Sequence, residues 1–197
     1  PQKVEALKPE VPAQAVLGSI KSAAPPSTDL IAGSAVVQIP QVHLSETHAK
    51  TLKVNVGDKF PSFSLPDGAG KPQTLDSLKG RLTLIVFWRA NEPSAVEELR
   101  DLAAQYLPAY ATAGLKVAAI NSYDQPAATK AVLEQFQPGY PCLTDVGGKL
   151  LGQVGAGQLP RTFLLDAGGK VLWLDIEYSR TTRRQLLQAL QAAFKEI

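Results

Sequence analysis

Sulfur chemistry needs cysteines in set places, and this 197-residue chain holds one, Cys142. A single cysteine closes no internal disulfide and excludes both a cysteine framework and a cysteine-rich zinc site. The two histidines, His43 and His48, lie five residues apart. Two imidazoles fall short of a specific metal set, so both read as solvated loop residues, and no metal or cofactor is implied. Glu92 stands just before Pro93 and Ser94, where a helix is expected to start. A carboxylate there is favoured by the helix macrodipole by roughly 0.3–1 kcal/mol, and it also presents a charge to any partner nearby. Gly147-Gly148-Lys149 and Gly168-Gly169-Lys170 read as turns, because they lack the spacing of a phosphate loop. With 20 basic and 18 acidic residues the net charge is +2, which argues against nucleic acid as a partner.

The elements that must position these residues are legible from residue 55 onward. Phe60, Phe63 and Leu65 alternate with serines as in a half-buried strand, and Asp67-Gly68-Ala69-Gly70 is a turn signal. The run Leu82–Trp88 is apolar and β-branched, so it reads as a central strand buried on both faces. At seven residues it is far below the ~20 that a spanning helix requires. A helix is expected over residues 94–113, with Ser94 as N-cap, Glu97 three positions on, and a kink or division at Pro108. Residues 115–120 read as a second core strand, 126–136 as a helix stopped by Pro138-Gly139, 142–144 as a short strand, and 149–154 as a helical turn. Residues 162–165 and 171–176 flank Asp166-Ala167-Gly168-Gly169 as a hairpin. A last helix from about Thr181 should bury Leu186, Leu187, Leu190, Ala193 and Phe194. Its opening, Arg180-Thr181-Thr182-Arg183-Arg184, opposes the helix dipole and reads as a solvated end. The order implies an α/β fold whose mixed sheet is covered by helices on both faces.

Every aromatic residue lies between Phe60 and Phe194. Residues 1–54 are rich in Pro, Ala, Val and Ser and read as an irregular N-terminal extension. It has a linker-like break at Ala23-Ala24-Pro25-Pro26-Ser27 and a possible strand over residues 31–39. Residues 55–197 then form one domain. The chain starts at Pro1 and contains no methionine, so we expect a removed signal peptide or membrane anchor, or a cut at that point.

Several strings resemble the thioredoxin-like proteins of the TlpA/ResA and AhpC/TSA (redoxin) group. They are residues 56–63 (VGDKFPSF), 75–80 (LDSLKG), the strand ending Phe87-Trp88, 159–166 (LPRTFLLD) and Gly169-Lys170-Val171. The resemblance implies a thioredoxin-like three-layer α/β/α sandwich with a mixed central sheet. In that family the strand ending Phe-Trp is followed by a Cys-x-x-Cys pair. The helix N-terminus stabilises the first thiolate, and the second cysteine resolves the mixed disulfide. By the same resemblance Glu92 and Ala95 occupy those two positions here, and Pro93 remains between them. Pro160 matches the family's proline facing the redox site, which is normally cis. Trp88, Arg89, Asn91, Glu92, Pro93, Ala95, Pro160 and Arg161 would then outline a vestigial redox site, with Arg89, Asn91 and Arg161 near the rim of its groove. Cys142 falls where the resemblance expects apolar core, and a buried cysteine behaves as a small hydrophobe.

The reading that follows is a redox-inactive binding or structural subunit of an extracytoplasmic complex, periplasmic or membrane-associated. Its partner would be another protein or a membrane complex, contacted by residues 1–54 and by the groove near Pro160 through strand addition. Two alternatives stay open. One is a divergent thiol–disulfide oxidoreductase or peroxidase-type redoxin using Cys142 alone. The other is a peptide or small-molecule carrier using the vacated groove.

Overall fold

The structure, a computed structural model, describes residues 38–196. The expected break at residues 23–27 and the portion of the expected strand over 31–37 lie outside the described residues.

Chain order gives α1 (Glu46–Ala49), β1 (Ser64–Pro66), β2 (Pro72–Thr74), α2 (Leu75–Leu78) and β3 (Leu82–Trp88). Next come α3 (Pro93–Asp101), a π-helical turn (Leu102–Tyr106), α4 (Leu107–Tyr110), β4 (Leu115–Ser122), α5 (Pro126–Leu133) and β5 (Cys142–Asp145). The chain closes with α6 (Leu151–Val154), β6 (Arg161–Asp166), β7 (Val171–Asp175) and α7 (Arg180–Glu196). The main sheet has the order β5-β4-β3-β6-β7. β3, β4 and β5 run parallel, while β6 and β7 run antiparallel to their neighbours. A separate hairpin joins β1 to β2. The Asp67 carboxylate shapes its turn by accepting from the Ala69 and Lys71 amides at 2.9 and 3.0 Å.

β3 lies at the centre of this arrangement, and none of its seven residues is exposed. Alternation along it divides the core in two. Leu84, Val86 and Trp88 face α3, α7 and the flank of α5. Ile85 and Phe87 face α2, α6 and the lead-in segment. There Phe60, Phe87 and Phe163 pack with ring centroids 5.2–6.4 Å apart. Phe60 is therefore core, while the first strand begins at Ser64, four residues later than the alternation suggested.

The expected helix over 94–113 starts earlier and bends differently. It begins at Pro93, with Glu92 rather than Ser94 as the N-cap residue, and the Glu92 side chain makes no cap bond. Proline is pre-set for the first helical position and has no N–H to leave unpaired there. Pro108 does not divide the helix. The backbone widens into the π turn just before it, which moves the i−4 carbonyl clear of the proline ring and keeps residues 93–110 helical.

The start of α7 also departs from expectation. Arg183 is half-buried and partnered: it pairs with Glu97 and, at 3.2 Å, with Asp101, and its guanidinium lies 4.7 Å over the Tyr178 ring. These contacts fasten α7 to α3, while Arg180 and Arg184 stay exposed. Leu187, expected in the core, is 38% exposed, whereas Leu186 is 1% exposed. The 100° step of a helix turns these neighbours apart. Residues 38–54, assigned by composition to the extension, run along the domain. Ile39 and Val42 pack on one half of the core, and Leu44 and Leu52 on the other.

This packing separates two adjacent leucines. Leu186→Ala should destabilise the domain by about 2–5 kcal/mol, and Leu187→Ala by less than about half as much, when urea midpoints of the two variants are compared.

Candidate functional site

The candidate site forms where β3, β4 and β6 meet the start of α3. Phe87 pairs with Arg161 across the antiparallel β3–β6 ladder, so the register continues with Trp88 beside Pro160. The Leu159–Pro160 bond is cis and Pro160 is buried. Trp88 and Ala95 are fully buried and pack in the same half of the core. Asn91 and Pro93 are exposed, and Arg89 and Glu92 are half-buried. The structure thus gathers Trp88, Arg89, Asn91, Glu92, Pro93, Ala95 and Pro160 at one end of the sheet.

Arg161 is the exception. It does not line the rim, because it is fully buried on the opposite face of β6 from Thr162. Its Nε donates to the Gln158 carbonyl at 3.1 Å, and its Nη2 donates to Thr51 Oγ1 at 2.7 Å and to the Ala156 carbonyl. Strand alternation decides this. Residue 161 shares its face with Phe163 and Leu165, which lie in the half of the core away from α3.

The loop after β3 is held by a residue that sequence reasoning passed over. Asp124 Oδ2 accepts from the Ala90 amide at 2.6 Å and from Asn121 Nδ2 at 2.8 Å. Its Oδ1 lies 3.6 Å from Arg89 Nε. The Arg89 guanidinium sits 5.8 Å over the Tyr123 ring. Tyr123 has φ +72°, a conformation that bulky residues rarely adopt, and its ring covers Gly148 where any side chain would collide. The one signal in the sequence was a short Ser-Tyr-Asp run following a strand, which any loop could carry.

Glu98 was also unrecognised. It is 1% exposed, and Thr162 Oγ1 donates to its Oε1 at 2.6 Å. Its other oxygen is buried without a partner. Burial pushes this carboxyl up to about 8, with the hydrogen bond from Thr162 opposing and the nearby Asp175 and Asp101 charges adding to the rise. Asp175 lies opposite Thr162 on β7, and burial pushes it up to about 6. Glu98 therefore holds its proton at neutral pH, while Asp175 gives up its own just below neutrality.

Cys142 stands elsewhere. It belongs to β5, two strands and about 10 Å across the sheet from β3. The thiol is half-buried, with Sγ 3.7 Å from the Tyr140 carbonyl, and burial pushes it up to about 12. It lines an open, largely apolar groove of about 1200 Å³ together with Pro66, Leu133, Pro141 and Val146. His48 Nδ1 lies 3.8 Å from Glu177, and His43 is exposed. Among the described residues no three His, Cys, Asp or Glu side chains are grouped to hold a metal ion, and no helix is long and apolar enough to cross a membrane.

Comparison with known proteins agrees with this architecture. The model of the AhpC/TSA family matches residues 56–174, and the chain belongs to that family. The thiol-disulfide oxidoreductase ResA of Bacillus thuringiensis is 31% identical over 120 residues, which cover 61% of this chain and 69% of that protein. Among solved structures, a putative protein disulfide isomerase from Bacteroides thetaiotaomicron superimposes with a TM-score of 0.67 at 20% identity, covering 74% of this chain and 93% of that one. A putative thiol:disulfide interchange protein DsbE from Chlorobium tepidum gives 0.63 at 24% identity, covering 72% and 99%. These two similarities establish the thioredoxin-like fold.

The buried carboxyl has a measurable signature. Glu98 binds its proton more tightly in the folded chain than in the unfolded one, where its value is near 4.5. The stability it contributes is complete below that value and is lost as pH rises through about 8. Stability should fall between these limits with a slope of at most about 1.4 kcal/mol per pH unit from this group. Glu98→Gln should flatten the upper part of the curve, leaving the smaller loss from Asp175 below about pH 6, as read from urea midpoints across pH.

Proposed function

We propose that this member of the AhpC/TSA family is a redox-inactive, thioredoxin-like binding or structural subunit that works outside the cytoplasm. The observation that carries the reading is the chemistry at the start of α3. Where the family resemblance places two cysteines the chain has Glu92, a carboxylate, and Ala95, a buried methyl. Neither side chain can form a mixed disulfide. The surroundings of that position are intact: the buried Trp88, the first-turn Pro93, the cis Pro160 and the Asp124-anchored loop.

A family-like loop and helix start without sulfur suit recognition rather than exchange. Asn91 and Arg89 present polar groups there, and Glu92 adds a negative charge near the α3 N-terminus. The partner we envisage is another protein or a membrane complex, engaged by this surface and by the part of the chain preceding the described residues. The extracytoplasmic setting rests on its similarity to thiol-disulfide oxidoreductases, whose substrates persist where the environment is oxidising.

Two lines of measurement, one chemical and one of binding, test this reading. In a disulfide-reduction assay the chain should show no turnover above background, and Glu92→Cys combined with Ala95→Cys should introduce it. In the same preparation Cys142 should react with a thiol reagent at pH 8 at least about 100-fold more slowly in the native protein than in urea, because burial suppresses its thiolate. A fast native reaction would instead favour a single-cysteine oxidoreductase. The second measurement is a native pull-down from the source cells. The full chain should retain a stoichiometric partner, and removal of residues 1–37 or Asn91→Ala with Glu92→Ala should weaken its capture. Failure of the full chain to retain any partner would remove the subunit reading.

A further inference from the structure

Arg161 carries a fixed positive charge into the half of the core formed by Phe60, Phe87 and Phe163, and burial lowers its affinity for its proton. Buried cations are ordinarily paired with an acid. Arg161 forms none of the ion pairs among the described residues, and its Nη1 is buried with no hydrogen-bond partner. Its acceptors are neutral: the carbonyls of Gln158 and Ala156, and Thr51 Oγ1.

Those acceptors come from two segments. Gln158 and Ala156 belong to the loop that leads into cis Pro160, and Thr51 belongs to residues 45–54. The segments also meet through the backbone. Leu52 bridges Gly155, the Ala156 amide donates to the Thr51 carbonyl at 3.0 Å, and the Lys53 amide donates to the Val154 carbonyl at 3.1 Å. Gly155 permits the approach: a Cβ there would lie 2.5 Å from Arg161 Nη1 and 2.8 Å from the Thr51 carbonyl oxygen. The apolar grip is concentrated at the C-terminal end: α1 buries no residue and Leu52 is half-buried, while Val54 is 7% exposed and seated in the core.

We propose that residues 45–53 form a releasable strap, hinged at the buried Val54 and clasped over the cis-proline loop by Arg161, so that strap and loop open and close together. When the strap lifts, water reaches a guanidinium that the closed state leaves incompletely satisfied, and that hydration offsets part of the loss of the Thr51 contacts. The closed arrangement is therefore poised. The inference stands on contacts within the domain and holds whether or not the groove takes a partner.

Amide hydrogen exchange on the full chain at neutral pH tests it, with Thr51→Val, Thr51→Ser and Arg161→Lys beside the natural protein. Thr51→Val removes the acceptor at constant shape. It should speed exchange at Lys53 on the strap and at Gly155 and Ala156 on the loop by about tenfold or more together, the effect of losing one hydrogen bond to a charged group. Amides of β3 and β4 should be unchanged, and Thr51→Ser should stay near the natural rate. Arg161→Lys, made on the loop side, should speed Lys53 in the strap. The proposal fails if acceleration stops at the strap and spares Gly155, if it spreads through β3 as global unfolding, or if no amide responds.

Discussion

The burial of β3 on both faces is the constraint from which the rest of the domain follows. A strand with no exposed residue must have a neighbour on each edge and a layer on each side. β4 and β6 supply the edges, and the two halves of the core supply the layers. The same placement sets the site. The chain leaves β3 at Trp88, turns within four residues and enters α3 at Pro93, directly beside the end of β6 that carries cis Pro160. The geometry associated with disulfide exchange in the family therefore persists because it is a consequence of how the central strand is covered, and sulfur is not required to hold it.

The residues at positions 92 and 95 fit this scaffold for separate physical reasons. Position 95 is fully buried among Trp88, Leu99 and the rest of that half of the core, where an alanine methyl fits without any unmet polar group. Position 92 is the N-cap residue, where a carboxylate is electrostatically favoured even though its side chain caps nothing. The remaining thiol lies two strands away with its ionisation suppressed.

Two buried polar centres flank that site from opposite faces of β6. Thr162 points toward α3 and meets Glu98, while Arg161 points the other way and meets Thr51. One centre is acidic and relieves its burial by holding a proton; the other cannot lose its charge at any ordinary pH and relies on neutral acceptors. Both are costly relative to apolar packing, and both sit within two residues of Pro160 along the strand. They make the edge of the groove the least self-sufficient part of an otherwise apolar core.

The amino-acid sequence by itself determined the central strands and their burial. A seven-residue β-branched run can only be satisfied from both sides, and the Asp-x-Gly-Gly turn can only close a hairpin, so β3, β6 and β7 were legible almost to the residue. It also determined that the helix start lacks sulfur, because residue identity is local information. What tertiary structure alone decided are the meetings of distant residues. Whether Arg161 faced the groove or the core depended on the phase of β6 against the lead-in segment, and whether Arg183 was partnered depended on where α3 placed Glu97 and Asp101. The protonation of Glu98 arose from its burial in the folded core and from the charge of Asp175, 77 positions away in the chain, against the opposing hydrogen bond from Thr162. A side chain's solvation and charge are set by the atoms that surround it, and those atoms become neighbours only once the sheet has formed.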